Sequence, residues 1–331
     1  MIIAEYIWID GKNKLRSKTR VIHEFLKTIN EKTLPQWNYD GSSTNQAETE
    51  NSEIILKPVY ICNDPFRKNK YINKLVLCDT WTTQDNPYEN NTRPQAKEIF
   101  EKYKKEKPMF GLEQEFFLSF QSRVLQEMKN YNYNGENEDN ENFYCTTNQD
   151  TGRECFEEVL QKCLEAGLKL TGGNAEVAAY QWEFQLCTYG IECSDELHIL
   201  RYIIGKVANS HGFKMNLEPK PLKNENGSGC HVNFSTEEMR NKNSEELTNK
   251  YIKKLENKHT MHMEQYGKDN EQRMTGTHET SSMETFTYGK GDRQASIRIP
   301  KETNTYFEDR RPASNLDPYI VTSLILQTVM E

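Results

Sequence analysis

Several absences narrow the class of this chain before any motif is considered. No stretch approaches the roughly 20 consecutive apolar residues of a membrane-crossing helix. The amino terminus, MIIAEYIWIDG, has neither a basic leading region nor a small-residue cleavage site, so no secretory signal is read there. Lysine and arginine total 42 against 50 aspartates and glutamates, a net charge of −8. That is the wrong sign for a surface that tracks nucleic-acid phosphates, so no nucleic-acid partner and no membrane partner is expected. The eight cysteines, at 62, 78, 145, 155, 163, 187, 193 and 230, never form a CxxC pair. They read as reduced thiols of a cytoplasmic protein, neither a disulfide framework nor a zinc site. There is no GxxxxGK phosphate loop and no internal repeat.

What is present suggests two domains, since 331 residues can bury a large core. The first eighty or so residues carry strand signals: IIAEYIWID, a DG turn, EIILKPVYI and KLVLCDTW. One helix is expected around SKTRVIHEFLKTI. The turn-rich TTQDNPYENNTRP marks a boundary, dividing 1–85 from 86–331. Beyond it, RPQAKEIFEKYKKEK reads as a helix with Pro in its first turn. EEVLQKCLEAGL, DELHILRYIIGKVANSHG and SEELTNKYIKKLENKHTMHMEQYG follow as further helices. Between them lie strand-like pieces: MFGLEQEFFLSF, NAEVAAYQWEFQLC, FKMNLEPK, GCHVNFST and QASIRIP. The expected fold class is α+β with a large, mostly antiparallel sheet. Residues 131–142, rich in Asn and Glu, read as a loop.

MFGLEQEFFLSF poses the chemical question. In a strand Glu113 and Glu115 point to one face while Phe110, Leu112, Phe116 and Leu118 share the other. Adjacent buried carboxylates are costly unless something offsets them. Glu176 and Glu183 in NAEVAAYQWEFQLC, His231 in GCHVNFS and Glu308 in YFEDRRP sit in similar surroundings. Five glutamates and one histidine form a ligand set suited to Mg²⁺ or Mn²⁺. The plain alternative pairs each glutamate with an arginine or with water. Arg273, Arg293, Arg298, Arg310 and Arg311 form a second theme, suited to capturing carboxylate or phosphate. Acidic metal ligands beside arginines suggest phosphoryl transfer, and ordinary salt bridges remain the alternative for some of them. His259 and His262 stand three apart on a helix, a spacing that can bind metal but is commoner without one.

WNYDGSSTNQA, GLEQEFF, GNAEVAAYQWEFQ, NGSGCHVNFS, RMTGTHETS, QASIRIP and YFEDRRPASNLDPY, in this order, resemble eukaryotic-type (class II) glutamine synthetase over nearly the whole chain. The resemblance implies an N-terminal β-grasp domain and a catalytic domain on a curved antiparallel sheet flanked by helices. It implies homo-oligomeric rings, decamers by family habit, with each active site shared between adjacent subunits. The implied reaction joins glutamate and ammonia to glutamine, with ATP as co-substrate and at least two Mg²⁺ or Mn²⁺ ions per site. By motif, Glu113, Glu176 and Glu183 would hold the first ion, and Glu115, His231 and Glu308 the second. Arg273 and Arg310, with the backbone at Asn226 and Gly227, would grip glutamate. Arg293 and Arg298 would face the transferring phosphoryl group. Asn233, Phe234, Ser235, Arg298 and Tyr306 would lie along the nucleotide. Glu279 would close over the acyl phosphate, and Asp40, from a neighbouring subunit, would take a proton from ammonium.

Some positions depart from the family pattern. The stretch TTNQDTGR is short and has Thr151 near an expected aromatic, Met109 stands where tryptophan is common, and Glu225 replaces an aromatic. Two rival functions follow: a glutamate–amine ligase with a larger amine, and a non-catalytic ring-forming relative.

Overall fold

The computed structural model describes residues 1–120, 142–147, 151–223 and 225–331. The loop expected at 131–142 therefore lies outside the described residues apart from its last position, as does the centre of TTNQDTGR.

Two sheets organise the molecule. The first has five strands: β1 (Ile2–Ile9), β2 (Leu15–Ile22), β3 (Trp37–Asp40), β4 (Glu53–Asn63) and β5 (Ile72–Trp81), in the order β2-β1-β5-β4-β3. β1 and β5 run parallel at its centre, and the other pairs are antiparallel. The helix expected around SKTRVIHEFLKTI does not form. Leu15–Ile22 is instead the return strand of a hairpin, paired from Ile9↔Leu15 to Ile2↔Ile22. Its apolar residues are too few to make a helical stripe, whereas the turn at Asp10-Gly11 brings the segment back along the edge of β1. Asp10 fixes that turn by accepting the Lys12 and Lys14 backbone N–H groups at 2.8 and 2.9 Å.

The second sheet has eight strands in the order β11-β12-β13-β10-β6-β8-β7, with β9 also on β6. These are β6 (Met109–Phe120), β7 (Leu170–Ala175), β8 (Gln181–Tyr189), β9 (Phe213–Asn216), β10 (Cys230–Ser235), β11 (Tyr288–Lys290), β12 (Ile297–Ile299) and β13 (Phe307–Asp309). Every pairing is antiparallel except β11–β12. NAEVAAYQWEFQLC is not one strand but the turn and second arm of the β7–β8 hairpin, with Tyr180 at a left-handed φ of 61°. The helices are α1 (Arg93–Lys102), α2 (Arg153–Ala166), α3 (Glu192–Ser210), α4 (Glu237–Lys242), α5 (Glu245–Asn257), α6 (His259–Met263) and α7 (Pro318–Met330). The fourth expected helix is therefore broken, at Lys258. None of the described helices is long and apolar enough to cross a membrane.

Phe110, Leu112, Phe116 and Leu118 of β6 join Trp182 and Phe184 of β8 and Leu197, Leu200 and Ile204 of α3 in one core. This commits one face of the second sheet to packing and leaves Glu113 and Glu115 on the other. Ile7, Leu75 and Leu77 of the first sheet reach into the same core. A buried bidentate pair, Arg93 Nε and Nη2 on Asp195 at 2.7 and 2.8 Å, ties the start of α1 to α3. All eight cysteines are free thiols.

Candidate active site

Register, more than spacing, arranges the acidic face. Glu113 lies opposite His231 of β10, and Asn233, two residues on, lies opposite Glu308 of β13. Glu115 lies opposite Glu183 of β8, and Glu176 follows the end of β7. Glu113, His231 and Glu308 thus present ligand atoms within 4.8 Å of one another, and so do Glu115, Glu176 and Glu183. All six expected metal ligands come together, but Glu113 and Glu115 exchange places relative to the division expected. Glu113 belongs with His231 and Glu308, and Glu115 belongs with Glu176 and Glu183. Two residues along a strand span about 7 Å, enough to send neighbours on one face to different centres. The centres still touch, because His231 reaches Glu113 through Nδ1 at 3.5 Å and Glu115 through Nε2 at 3.8 Å.

The first group carries its own counter-charge. Arg310 Nη1 donates to Glu308 Oε1 at 2.7 Å, Arg298 Nε donates to Oε2, and His231 Nδ1 stands 3.3 Å from Oε1. Burial alone would raise the Glu308 carboxyl, but His231, Arg310 and Arg298 together hold it far below the usual range. Burial and Arg310 oppose a charge on His231, yet Glu113 and Glu308 outweigh them and lift its pKa to about 9. The second group has no such compensation. The side-chain donors that reach it are amides: Gln185 to Glu183 at 2.6 Å, Asn174 to Glu176 at 2.8 Å and Gln181 to Glu115 at 3.3 Å. The Gly229 N–H also donates to Glu115, at 2.7 Å. Burial, then Glu113, Glu115 and Glu176, push Glu183 well above the carboxylate range. Burial and Glu115 push Glu176 up to about 7.

The sequence reading missed these amides, although their signal was available. Gln181 and Gln185 flank Glu183 at i−2 and i+2, so all three share one strand face.

The arginines divide by environment. Arg273 is buried and donates to the Arg310 carbonyl at 2.9 Å, with its Nη2 3.0 Å from His231 Nε2. Burial lowers its pKa to about 10. It lies so close to the Asn226–Gly229 turn that a Cβ on Gly227 would meet Arg273 Cγ at 2.7 Å, and one on Gly229 would meet Arg273 Nη2 at 2.6 Å. Arg310 also donates to the backbone carbonyls of Arg293, at 3.1 Å, and Glu279, at 3.5 Å. Arg293 and Glu279 are exposed, and Glu279 and its neighbour His278 are both left-handed, at φ 59° and 52°. Arg311 is not available for anion capture: fully buried, it bonds Asp309 through Nε at 2.9 Å and His259 Nδ1 at 2.9 Å. His259 and His262 are also spent structurally, on the Met283 carbonyl at 2.9 Å and on Tyr266 and Thr328 at 2.6 and 2.9 Å. Asp40 stands apart at the end of the edge strand β3. It accepts from Ser42 Oγ at 2.6 Å and Ser43 Oγ at 2.7 Å, which lower its carboxyl to about 2.

A cavity of about 350 Å³ opens beside the first group. Glu113, Asn233, Phe234, Ser235 and Tyr306 line it, with Met109 and Arg240 toward the far end of β6. Its floor follows cross-strand rows: Gly111 between Asn233 and Cys187, then Met109 between Ser235 and Tyr189. Gly111 keeps the floor open, since a Cβ there would meet Asn233 Cβ at 3.1 Å. The cavity therefore runs from carboxylates to apolar and aromatic surface, the polarity a nucleotide needs. Oxygen-rich donor triads, one with an imidazole, suit hard divalent cations, and the uncompensated second group suits them most.

The family model for the glutamine synthetase catalytic domain matches residues 89–256. The chain is 44% identical over 337 residues to the glutamine synthetase of Kluyveromyces lactis, covering 99% of this chain and 88% of that protein. It is 43% identical over 337 residues to that of Saccharomyces cerevisiae, covering 99% and 89%. Likeness of this extent, on a chain whose strands gather those six side chains on one face, places it in the glutamine synthetase family.

Proposed function

We propose that this protein is a glutamate–ammonia ligase, making glutamine from glutamate, ammonia and ATP through γ-glutamyl phosphate. One observation carries the reading: two three-ligand groups lie side by side, and Glu113 of the first also lines a nucleotide-sized cavity. Mg²⁺ or Mn²⁺ held by Glu113, His231 and Glu308 and by Glu115, Glu176 and Glu183 would neutralise the phosphate and carboxylate oxygens that meet there.

The remaining roles belong to the chain itself. Asn233, Phe234, Ser235 and Tyr306 bind the nucleotide along the cavity. Arg298, fixed by Glu308, and the exposed Arg293 face the group in transfer and stabilise its charge. Arg273 and Arg310, with the backbone at Asn226 and Gly227, orient glutamate so that its γ-carboxylate meets the phosphate. Hydroxide is a poor leaving group, and phosphorylation replaces it with a good one. The Glu279 segment, tied to Arg310, covers the acyl phosphate against water. Asp40 removes a proton from ammonium. It sits on the other sheet and bonds its own turn, so the reading places it in a neighbouring subunit's site. Ring-shaped homo-oligomers with shared sites, decamers on the family pattern, belong to this proposal. So do a cytoplasmic location and a division into domains at 1–85 and 86–331.

The test is ADP release that requires glutamate and Mg²⁺, measured with ammonia and then with small alkylamines. Release with ammonia supports the reading. Release only with alkylamines would replace it by a ligase for larger amines, and none with any amine by a structural role.

A further inference from the structure

A second cavity, far larger than the nucleotide-sized one, has no part in this chemistry. It has a volume of about 930 Å³ and lies between the β1–β2 hairpin, the outer half of α3 and β9. Lys12, Lys14, Lys206, Lys214 and Lys268 border it, with Arg201 at its floor. One carboxylate, Glu5, also borders it, and that group is already engaged by Thr19 Oγ1 and by Arg67 Nη2, each at 2.6 Å. Converging positive charge is unexpected on a chain whose net charge is −8.

The lysines lack local partners that would explain their gathering. Lys206 lies over the Phe66 and Tyr202 rings, 4.3 and 5.7 Å from their centroids, which leaves its charge uncompensated. Lys268 approaches the exposed Asp269 at 3.9 Å, a weak contact. No ion pair joins the side chain of Lys12, Lys14 or Lys214 to a carboxylate among the described residues. Arg201 is held by Gln114 Oε1 and the Leu316 and Ser314 carbonyls, one from each of its nitrogens, so it supplies charge and a rigid floor. Beside it the buried His198 has an Nε2 without a hydrogen-bond partner, a polar atom the fold leaves unused. Ammonium groups gathered around one cavity repel one another unless an anion lies among them.

We propose that this cavity is a binding site for a small polyanion, a molecule carrying two or more phosphate or carboxylate groups. Its volume leaves ample room for such a molecule together with its hydration water. Its walls come from both sheets' surroundings, the hairpin of the first and α3 and β9 of the second, so an occupant would clamp the two together.

Titration calorimetry on the full chain, without divalent cations, tests this with two probes, pyrophosphate and tricarballylate. At least one should bind, with an affinity that falls as salt is added. Binding of pyrophosphate alone would identify phosphate as the recognised group, and of tricarballylate alone, carboxylate. Lys14→Glu with Lys214→Glu, both exposed positions, should weaken that binding by ~10-fold or more while the melting temperature holds. Arg298→Ala, in the candidate active site, should leave it unchanged. The proposal is overturned if neither probe binds, if the charge-reversed chain binds as well as the parent, or if Arg298→Ala is the variant that loses binding.

Discussion

The two carboxylate groups adjoin on β6 and are electrostatic opposites. Glu308, His231 and Glu113 sit among Arg298 and Arg310, so their charges are met by the protein itself. Glu115, Glu176 and Glu183 meet amides, a backbone N–H and, no closer than 3.8 Å, the His231 ring, and two of the three resist ionisation. One face of one sheet thus holds a group whose charge the protein largely offsets and a group whose charge it does not. The first is set up to keep its shape through a reaction cycle. The second stores repulsion that a divalent cation would release, so folding stability should respond to metal mainly through it.

Removing a member from each group gives the largest contrast. Glu308→Ala leaves two arginines without their buried partner, a change that typically costs about 3–5 kcal/mol. Melting of the metal-free protein should show that loss, and ligase activity should vanish with it. An unchanged melting temperature would mean that the arginines do not depend on Glu308. Glu183→Gln should do the opposite to stability. Where the pH is high enough to ionise Glu183, relieving that repulsive charge should raise the metal-free melting temperature, while Mg²⁺-dependent ADP release falls by ~10²–10³-fold. A variant that loses both stability and activity would erase the distinction between the groups.

The pH response sharpens it further. A carboxyl whose folded-state pKa is raised adds stability below its unfolded value and loses it as pH climbs through the folded value. For Glu176 that window runs from the ordinary 4.5 to about 7. At ~1.4 kcal/mol per pH unit, this amounts to about 3 kcal/mol. His231 is also raised, from 6.5 to about 9, so its contribution is complete below 6.5 and lost as pH approaches 9. Metal-free protein should therefore lose stability in two stages. Glu176→Gln should shrink the lower stage, to which the buried Asp79, also raised to about 7, contributes, and His231→Gln should shrink the upper one. Excess Mg²⁺ should flatten the lower stage, and a profile insensitive to Mg²⁺ there would argue against cation binding at the second group.

Much of this was legible in the sequence, for physical reasons that differ by element. Period-two alternation in MFGLEQEFFLSF places both glutamates on one face, and β6 obeys it. The long amphipathic helices α2 and α3 were readable because several turns of apolar spacing outweigh local noise. Pairing between distant strands was not readable. Nothing in the sequence says that Glu113 faces His231 and not Glu183, and a two-residue change of register is enough to reverse the grouping. Leu15–Ile22 failed for a related reason, since what makes it a strand is β1 beside it. Arg311 and Arg310 are adjacent in sequence but point to opposite faces of the chain. One is locked on Asp309 in the core and the other reaches the site, a difference that composition cannot express.

The smallest expected signal concerns the distance between Asp40 and the carboxylate face. Asp40 is exposed and held ionised by Ser42 and Ser43, so Asp40→Ala should leave the fold and acyl-phosphate formation intact. Its effect should appear in capture of ammonia, as slow glutamine formation beside near-normal phosphate transfer. Arg293→Ala should fail at the earlier step. If each site takes Asp40 from one chain and Arg293 from another, mixing the two inactive variants lets intact sites form. Random assembly of equal amounts would give roughly a quarter of the sites one of each intact residue. Recovery near that fraction, rising with time of subunit exchange, would place the two residues on different chains at one site. No recovery under conditions where exchange is demonstrated by labelled subunits would place Asp40 and Arg293 of the same chain together, and the separation of the two sheets would then have to be bridged within a single subunit.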